Sequence, residues 1–85
     1  MHIEKPFETL DELYDNIRRG GEIEFIYDDK NYSITHAEGE IYVMEQYNSA
    51  SIIKYTKPED VGEYIVAGKK IKEILNELII VFRCF

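Results

Sequence analysis

Alternating polar and apolar residues fill the middle of this chain and constrain its fold more than any other feature. Three segments alternate in this way: Glu22 to Tyr27, Asn31 to Thr35 and Glu40 to Gln46. Successive side chains of a strand point to opposite faces, so the pattern predicts strands with one buried face. The short polar connections, Asp28 to Lys30 and His36 to Gly39, predict that neighbouring strands pair antiparallel as a meander.

A short fourth strand is predicted after the meander, at Ile52 to Tyr55. Before the meander, a helix is predicted over residues 9–19. Thr9 is suited to cap the helix, and Glu12 follows at the spacing of the reciprocal capping pair. Gly20 is suited to end it. Apolar residues recur at the spacing of one helical face: Leu10, Leu13, Tyr14 and Ile17.

Two further helices and a last strand are predicted in the final third of the chain. The helices run from Pro58 to Val66 and from Lys69 to Leu78, with Gly68 ending the first, and the strand runs from Ile79 to Arg83. The order is α-β-β-β-β-α-α-β. At 85 residues, we expect residues 1–85 to be one α+β domain. Its antiparallel sheet of four to five strands has helices packed on one face.

The alternation also assigns side chains to the two faces of the sheet. Residues expected to face the helices are Ile23, Phe25, Tyr32 and Ile34. The opposite face then carries Glu22, Glu24, Ile26, Ser33, Thr35, Tyr42 and Met44. Aromatic residues and Met among carboxylates are typical of interfaces. In the alternative assignment, Tyr42 and Met44 face the helices, and Ile41 and Val43 face outwards.

Charge is distributed unevenly along the chain. Residues 1–45 contain 12 acidic and 4 basic residues, a net charge of −8, whereas residues 46–85 contain 5 acidic and 6 basic residues, a net charge of +1. An acidic half repels nucleic acid and anionic lipid and attracts basic surfaces. The basic cluster Lys69, Lys70 and Lys72 is followed by Glu73 and Glu77, which disfavours direct binding of nucleic acid.

No set of residues indicates a reaction. A single cysteine, Cys84, excludes a disulfide within the chain, and only His2 and His36 could serve as a general base. Metal-ligand spacings are absent, so we expect no enzyme activity, no cofactor and no metal site. Gly68-Lys69-Lys70 superficially matches the end of a phosphate-binding loop, but five residues separate Gly62 from Gly68 where the motif has four.

The longest apolar stretch, Leu78 to Phe82, is far shorter than the roughly 20 residues of a membrane span. The first residues also lack the apolar region of a secretory signal. We therefore expect a cytoplasmic protein without a membrane partner.

Several segments together resemble a loose group of small acidic proteins of unknown function. The matching residues are Glu22-Ile23-Glu24-Phe25, Tyr27, Lys30, Tyr32-Ser33-Ile34-Thr35 and Gly68-Lys69-Lys70-Ile71 with Ile74. The group is encoded in Gram-positive bacterial genomes and in their phages and plasmids. The resemblance covers about residues 7–78, and Leu75 stands where the group has Trp. By analogy, small acidic proteins of mobile elements often inhibit host defence enzymes by occupying nucleic-acid channels. The group has no established activity, so no functional residue follows from it.

The leading hypothesis is a non-catalytic module whose acidic half binds a protein partner with a basic surface. In its sharpest form it is an inhibitor of the anti-CRISPR, anti-restriction or toxin-immunity type that mimics nucleic-acid charge. The residues expected to bind the partner are Glu22, Glu24, Asp28, Asp29, Glu38 and Glu40, with Tyr42 as an aromatic anchor. Two alternatives remain: a bacterial housekeeping domain whose charge serves solubility, and a homodimer formed through the fourth or the C-terminal strand.

Overall fold

The computed structural model describes residues 3–84, which form two short α-helices and seven strands. The helices are α1 (Leu10–Arg18) and α2 (Ile71–Ile74), and the strands are β1 (Ile23–Tyr27), β2 (Lys30–Ala37), β3 (Glu40–Glu45), β4 (Ile53–Tyr55), β5 (Ile65–Val66), β6 (Lys69–Lys70) and β7 (Ile79–Arg83). Three 3₁₀ segments connect them: Ser49–Ser51, Pro58–Glu63 and Leu75–Glu77.

Five strands form one sheet in the order β4-β3-β2-β1-β7, and each neighbouring pair is antiparallel. The predicted α+β class with an antiparallel sheet of four to five strands is therefore confirmed, and the sheet has five. The period-two pattern of the sequence does not determine which strand the C-terminal strand joins. In the structure β7 lies beside β1, with a register shift between Glu24 and Phe25.

Two-residue turns of the same kind join the central strands. Asp28 and Asp29 connect β1 to β2 with φ of 53° and 62°, and Glu38 and Gly39 connect β2 to β3 with φ of 52° and 81°. Positive φ at both central residues characterises the type I′ turn, whose twist matches that of the flanking strands. Both turns lie within the predicted connections, which are longer than the turns themselves.

Alternate strand residues form one face of the core. Ile23, Phe25, Tyr32 and Ile34 are all buried, as the sequence predicts. Ile41 and Val43 are buried as well, so the alternative that turned them outwards is wrong. The rest of the core comes from outside the three central strands: Phe7, Leu13, Ile17, Val61, Tyr64, Val66, Ile71, Ile74, Leu75, Leu78 and Ile80.

The first helix begins where its capping residues predict. The Thr9 side chain accepts a hydrogen bond from the N–H of Glu12 at 3.1 Å. The Glu12 carboxylate accepts one from the N–H of Glu8 at 2.9 Å, one residue before the expected Thr9. These bonds satisfy amides that the first helical turn would leave unpaired.

The two helices predicted in the final third are wrong in extent, and the predicted order of elements is wrong with them. Pro58–Glu63 is a 3₁₀-helix, and β5 and β6 form a hairpin around Ala67 and Gly68, which have φ of 51° and 81°. Burial explains the difference: Tyr64 and Val66 are buried, while Ile65 between them is 53% exposed. This is the alternation of a strand, so Gly68 supplies a hairpin turn and not a helix end.

We predict that Glu63, at the end of the 3₁₀-helix before β5, has an unusually acidic carboxyl group. Glu63 accepts hydrogen bonds from Lys70 and Lys72, which lower its pKa from 4.5 to about 2. Because the pKa falls on folding, this carboxylate stabilises the fold above about pH 4.5, and the contribution is lost as the pH falls towards 2. A carboxyl NMR titration should show the low midpoint. Replacing both Lys70 and Lys72 with Met should raise it, and an unchanged midpoint would contradict the assignment.

A second prediction concerns Gly21, at the junction between α1 and β1. Its N–H donates to the Asn16 carbonyl at 3.1 Å, and a Cβ there would collide with the Cys84 carbonyl and the Asn16 amide. Gly21→Ala should therefore lower the free energy of unfolding by about 1–3 kcal/mol, as measured by urea denaturation. The control is Gly39→Asn, at a positive φ that Asn tolerates and with nothing within 4 Å of the added Cβ. An equal loss in both variants would show that the collision is not the cause.

Candidate functional site

The predicted partner-binding residues lie at two ends of the sheet. Glu38 and Glu40 lie at the β2–β3 turn, whereas Asp28 and Asp29 form the β1–β2 turn. The two turns are separated by the eight residues of β2, a length of about 25 Å. Asp28 and Asp29 therefore lie apart from Glu38 and Glu40.

The strand register brings the remaining predicted residues to one face near the β2–β3 turn. Glu24 is opposite Ser33, Thr35 is opposite Tyr42, and Ala37 is opposite Glu40. We call the group Glu22, Glu24, Glu38, Glu40 and Tyr42 the acidic face. Glu24, Glu40 and Tyr42 share the face opposite the core by strand alternation. Glu22 precedes β1 in the same alternation, and Glu38 lies in the adjoining turn.

Apolar residues continue this open sheet face towards β7. Ile26 is opposite Ile79, and Glu24 is opposite Phe82. Ile79 is 43% exposed and Phe82 is 41% exposed. Met44 and Ile26 are half-buried on the same face. The sequence could not assign Ile79 and Phe82 to this face because the partner of β7 was open.

The carboxylates of the acidic face form no ion pair with any residue in the described range. Within residues 3–84, five basic residues pair with other carboxylates, through Arg18–Glu59, Arg19–Asp15, Arg83–Glu12, Lys70–Glu63 and Lys72–Glu63. Lys54 lies on the open face with its ammonium 5.3 Å from the centre of the Tyr42 ring. Tyr42 therefore already contacts a cation, and a partner's cation would compete with Lys54 for that ring.

At the other end of the sheet, the β1–β2 turn and the loop after β3 border a shallow, open groove of about 290 Å³. It is lined by Asp29, Lys30, Asn31, Glu45, Gln46 and Tyr47. Tyr47 is 94% exposed and has φ of 64°. Residues 47–51 lie between the predicted third and fourth strands, in a polar segment. The only sequence signal for an exposed ring here is an aromatic residue inside a polar segment. Periodicity does not predict side-chain exposure outside strands and helices.

The residues considered for nucleophilic chemistry bond to the backbone. The nitrogen Nε2 of His36 lies 3.0 Å from the Gly21 carbonyl oxygen, a geometry in which Nε2–H donates. The sulfur of Cys84 accepts from the N–H of Glu22 at 3.1 Å. The buried Asn16 side chain donates to the Cys84 carbonyl at 3.0 Å. These contacts join the end of α1 to the sheet. His2, the other candidate base, lies outside the described residues.

Within residues 3–84, no group of three or more His, Cys, Asp or Glu side chains is placed to hold a metal ion. No helix in that range is long and apolar enough to span a membrane. Searches for related sequences and folds, covering protein-family models, curated proteins and solved structures, find no match.

We predict that Tyr47 lowers the stability of the fold. A left-handed backbone conformation costs most residues roughly 1–2 kcal/mol, and Asn tolerates it better. Tyr47→Asn should therefore raise the free energy of unfolding by roughly 1 kcal/mol. In the matched variant Tyr42→Asn, a half-buried strand residue loses its packing, so stability should fall. Urea denaturation of both variants tests this, and a destabilised Tyr47→Asn would show that the Tyr47 ring makes a stabilising contact.

Proposed function

We propose that this protein is a non-catalytic module that binds a basic surface of a protein partner through its acidic face. One observation supports this most strongly: within residues 3–84, no basic side chain forms an ion pair with Glu22, Glu24, Glu38 or Glu40. Charge concentrated on one face accelerates the encounter with an oppositely charged surface. In this proposal the protein acts in the cytoplasm.

The nearby apolar residues supply the second half of the argument. Charge alone gives fast but weak and salt-sensitive association, whereas interface cores are enriched in aromatic residues and Met. Met44, Phe82 and Ile79 lie on the same open face as Glu24. A partner steered by the carboxylates would bury these side chains on docking.

In its sharper form, the partner's surface is one that otherwise binds nucleic acid. Such surfaces carry Lys and Arg to neutralise phosphates, and the −8 charge of residues 1–45 complements them. The protein would then be an inhibitor of the anti-CRISPR, anti-restriction or toxin-immunity type, in keeping with the mobile-element setting that the resemblance suggests. The housekeeping alternative assigns the same charge to solubility alone.

The structure gives little support to the alternative of an edge-strand homodimer. The outer edge of β7 is partly covered, because the N–H of Glu4 donates to the Ile80 carbonyl at 2.7 Å and Arg83 donates to the Lys5 carbonyl at 3.0 Å. At the other edge, symmetric pairing of β4 about its central residue would place two Lys54 side chains opposite each other. Like charges in that position oppose pairing.

The test replaces carboxylates at two locations while changing the net charge equally. One variant carries Glu24→Gln, Glu38→Gln and Glu40→Gln, and the control carries Asp11→Asn, Glu73→Gln and Glu77→Gln. Each protein is immobilised and exposed to the heparin-binding fraction of a bacterial lysate. The association rate of a captured partner is then measured against ionic strength. The first variant should associate at least about threefold more slowly at low salt, with a flatter salt dependence, while the control should stay near wild type.

Equal slowing in the two variants would mean that total charge, and not the acidic face, controls association. If the wild-type protein captures no partner from the lysate, the housekeeping alternative, in which the charge serves solubility, is favoured. A partner that nucleic acid displaces from the beads would support the inhibitor form, and one that nucleic acid does not displace would overturn that form.

A further inference from the structure

We propose that the groove beside Tyr47 binds an arginine side chain of a protein partner. This inference rests on the proposed function for the nature of the partner. It uses the end of the sheet opposite the β2–β3 turn, so it adds a second contact about 25 Å from that turn. The groove and the acidic face can therefore be tested separately.

Tyr47 supplies a flat and accessible ring. With 94% of its surface exposed, it contributes little to the core, and its φ of 64° is unfavourable for an aromatic residue. Strained residues of this kind persist where the surrounding structure holds them. An exposed ring is suited to stacking against a cationic group.

Hydrogen bonds hold the loop that carries this ring. The N–H of Gln46 donates to the Asn31 carbonyl at 2.8 Å, and the N–H of Asn48 donates to the Glu45 carbonyl at 3.2 Å. Ser51 reinforces the loop, because its hydroxyl accepts from the N–H of Glu45 at 2.8 Å and donates to the Asn48 carbonyl at 2.6 Å.

The loop is also tied to the core. The hydroxyl of the buried Tyr64 donates to the Ser51 carbonyl at 2.9 Å. The Tyr47 backbone is thus positioned before any ligand arrives. Such preorganisation reduces the entropy cost of binding.

The charges around the groove favour a cation. Among the lining residues, Asp29 and Glu45 contribute two negative charges against one positive charge from Lys30. Asp28 adjoins them in the β1–β2 turn, which gives a local net charge of −2. The neighbouring Tyr32 phenol senses this field: burial is the main cause of its raised pKa, and Glu45 and Asp28 raise the pKa further. Lys30 opposes a cationic ligand, and removing its charge should strengthen binding.

Size and hydrogen bonding favour arginine over other cations. A volume of about 290 Å³ lies just below the roughly 300–1,000 Å³ typical of small-molecule pockets, so the open groove suits a single side chain. A guanidinium is planar, stacks on aromatic rings and donates from its edge to carboxylates, whereas an ammonium is a compact point charge. Asn31 adds an acceptor, its side-chain oxygen Oδ1. The amide nitrogen of Asn31 donates to the Gln46 side chain at 3.0 Å, and Oδ1 takes no part in that bond.

The experiment is an NMR titration of the ¹⁵N-labelled protein with two capped tripeptides, Gly-Arg-Gly and Gly-Lys-Gly. Amide shifts should concentrate at residues 28–31 and 45–47, and the arginine peptide should bind about two- to fivefold more tightly than the lysine peptide. Tyr47→Ala and Asp29→Asn should each weaken arginine binding by a similar factor, while Lys30→Gln should strengthen it.

Two matched variants keep the test decisive. Tyr47→Phe retains the ring and should retain binding, and Asp11→Asn repeats the Asp29→Asn change on α1 and should leave binding unaltered. Equal affinity for both peptides, or unchanged binding in Tyr47→Ala, would overturn the proposal. Shifts confined to the region of Glu24 and Glu40 would overturn the groove while leaving the acidic face intact. The variant with three Gln substitutions on the acidic face should associate slowly with the partner yet bind the arginine peptide normally. That combination would support the two sites independently.

Discussion

Strand register in the β1–β2–β3 meander is the constraint on which the rest of this structure depends. Side chains alternate between the core and the open face, so a slip of one residue would exchange Ile34 and Val43 for Ser33 and Met44. The two-residue turns at Asp28-Asp29 and Glu38-Gly39 leave no slack for such a slip. The same turns place acidic residues at both ends of the sheet. The strand register therefore determines both which side chains form the core and where the acidic residues lie.

Separation of charge is the second organising feature. Arginines on α1 and lysines near α2 pair with carboxylates outside the sheet, as in Arg18–Glu59 and Lys72–Glu63. Exposed pairs of this kind contribute little to stability. Their effect on the charge distribution is larger, because they offset carboxylates outside the meander. Residues 22–45 contain seven acidic residues and one basic residue, so the meander carries most of the net charge of −7.

Local signals predicted the first half of the chain well, because short-range interactions decide it. The capping residues of α1 and the period-two strands depend on neighbours within a few positions. The final third depends on tertiary contacts. Ala67-Gly68 fits a helix end or a hairpin turn equally well by composition, and only the burial of Tyr64 and Val66 around exposed Ile65 decides between them.

The residues of the two candidate binding surfaces show the same division. Glu24 and Tyr42 could be placed on one face from alternation alone. Phe82 and Ile79 required knowledge of a pairing between segments more than fifty residues apart. Tyr47 lies in a loop, where neither helical nor strand periodicity applies. Long-range register and loop geometry were thus the two kinds of information that the amino-acid pattern lacked.

The position of β7 beside β1 has a consequence for how the molecule assembles. β1 ends at Tyr27 and β7 begins at Ile79, so this pairing closes a long loop, whereas the meander closes only short ones. Contacts of high sequence separation form slowly. During synthesis, the backbone N–H and C=O groups on one side of β1 therefore stay unpaired until β7 has been synthesised. An unpaired strand carrying Ile23, Phe25 and Ile26 is prone to self-association, and the acidic residues around it provide electrostatic repulsion between nascent chains during that interval.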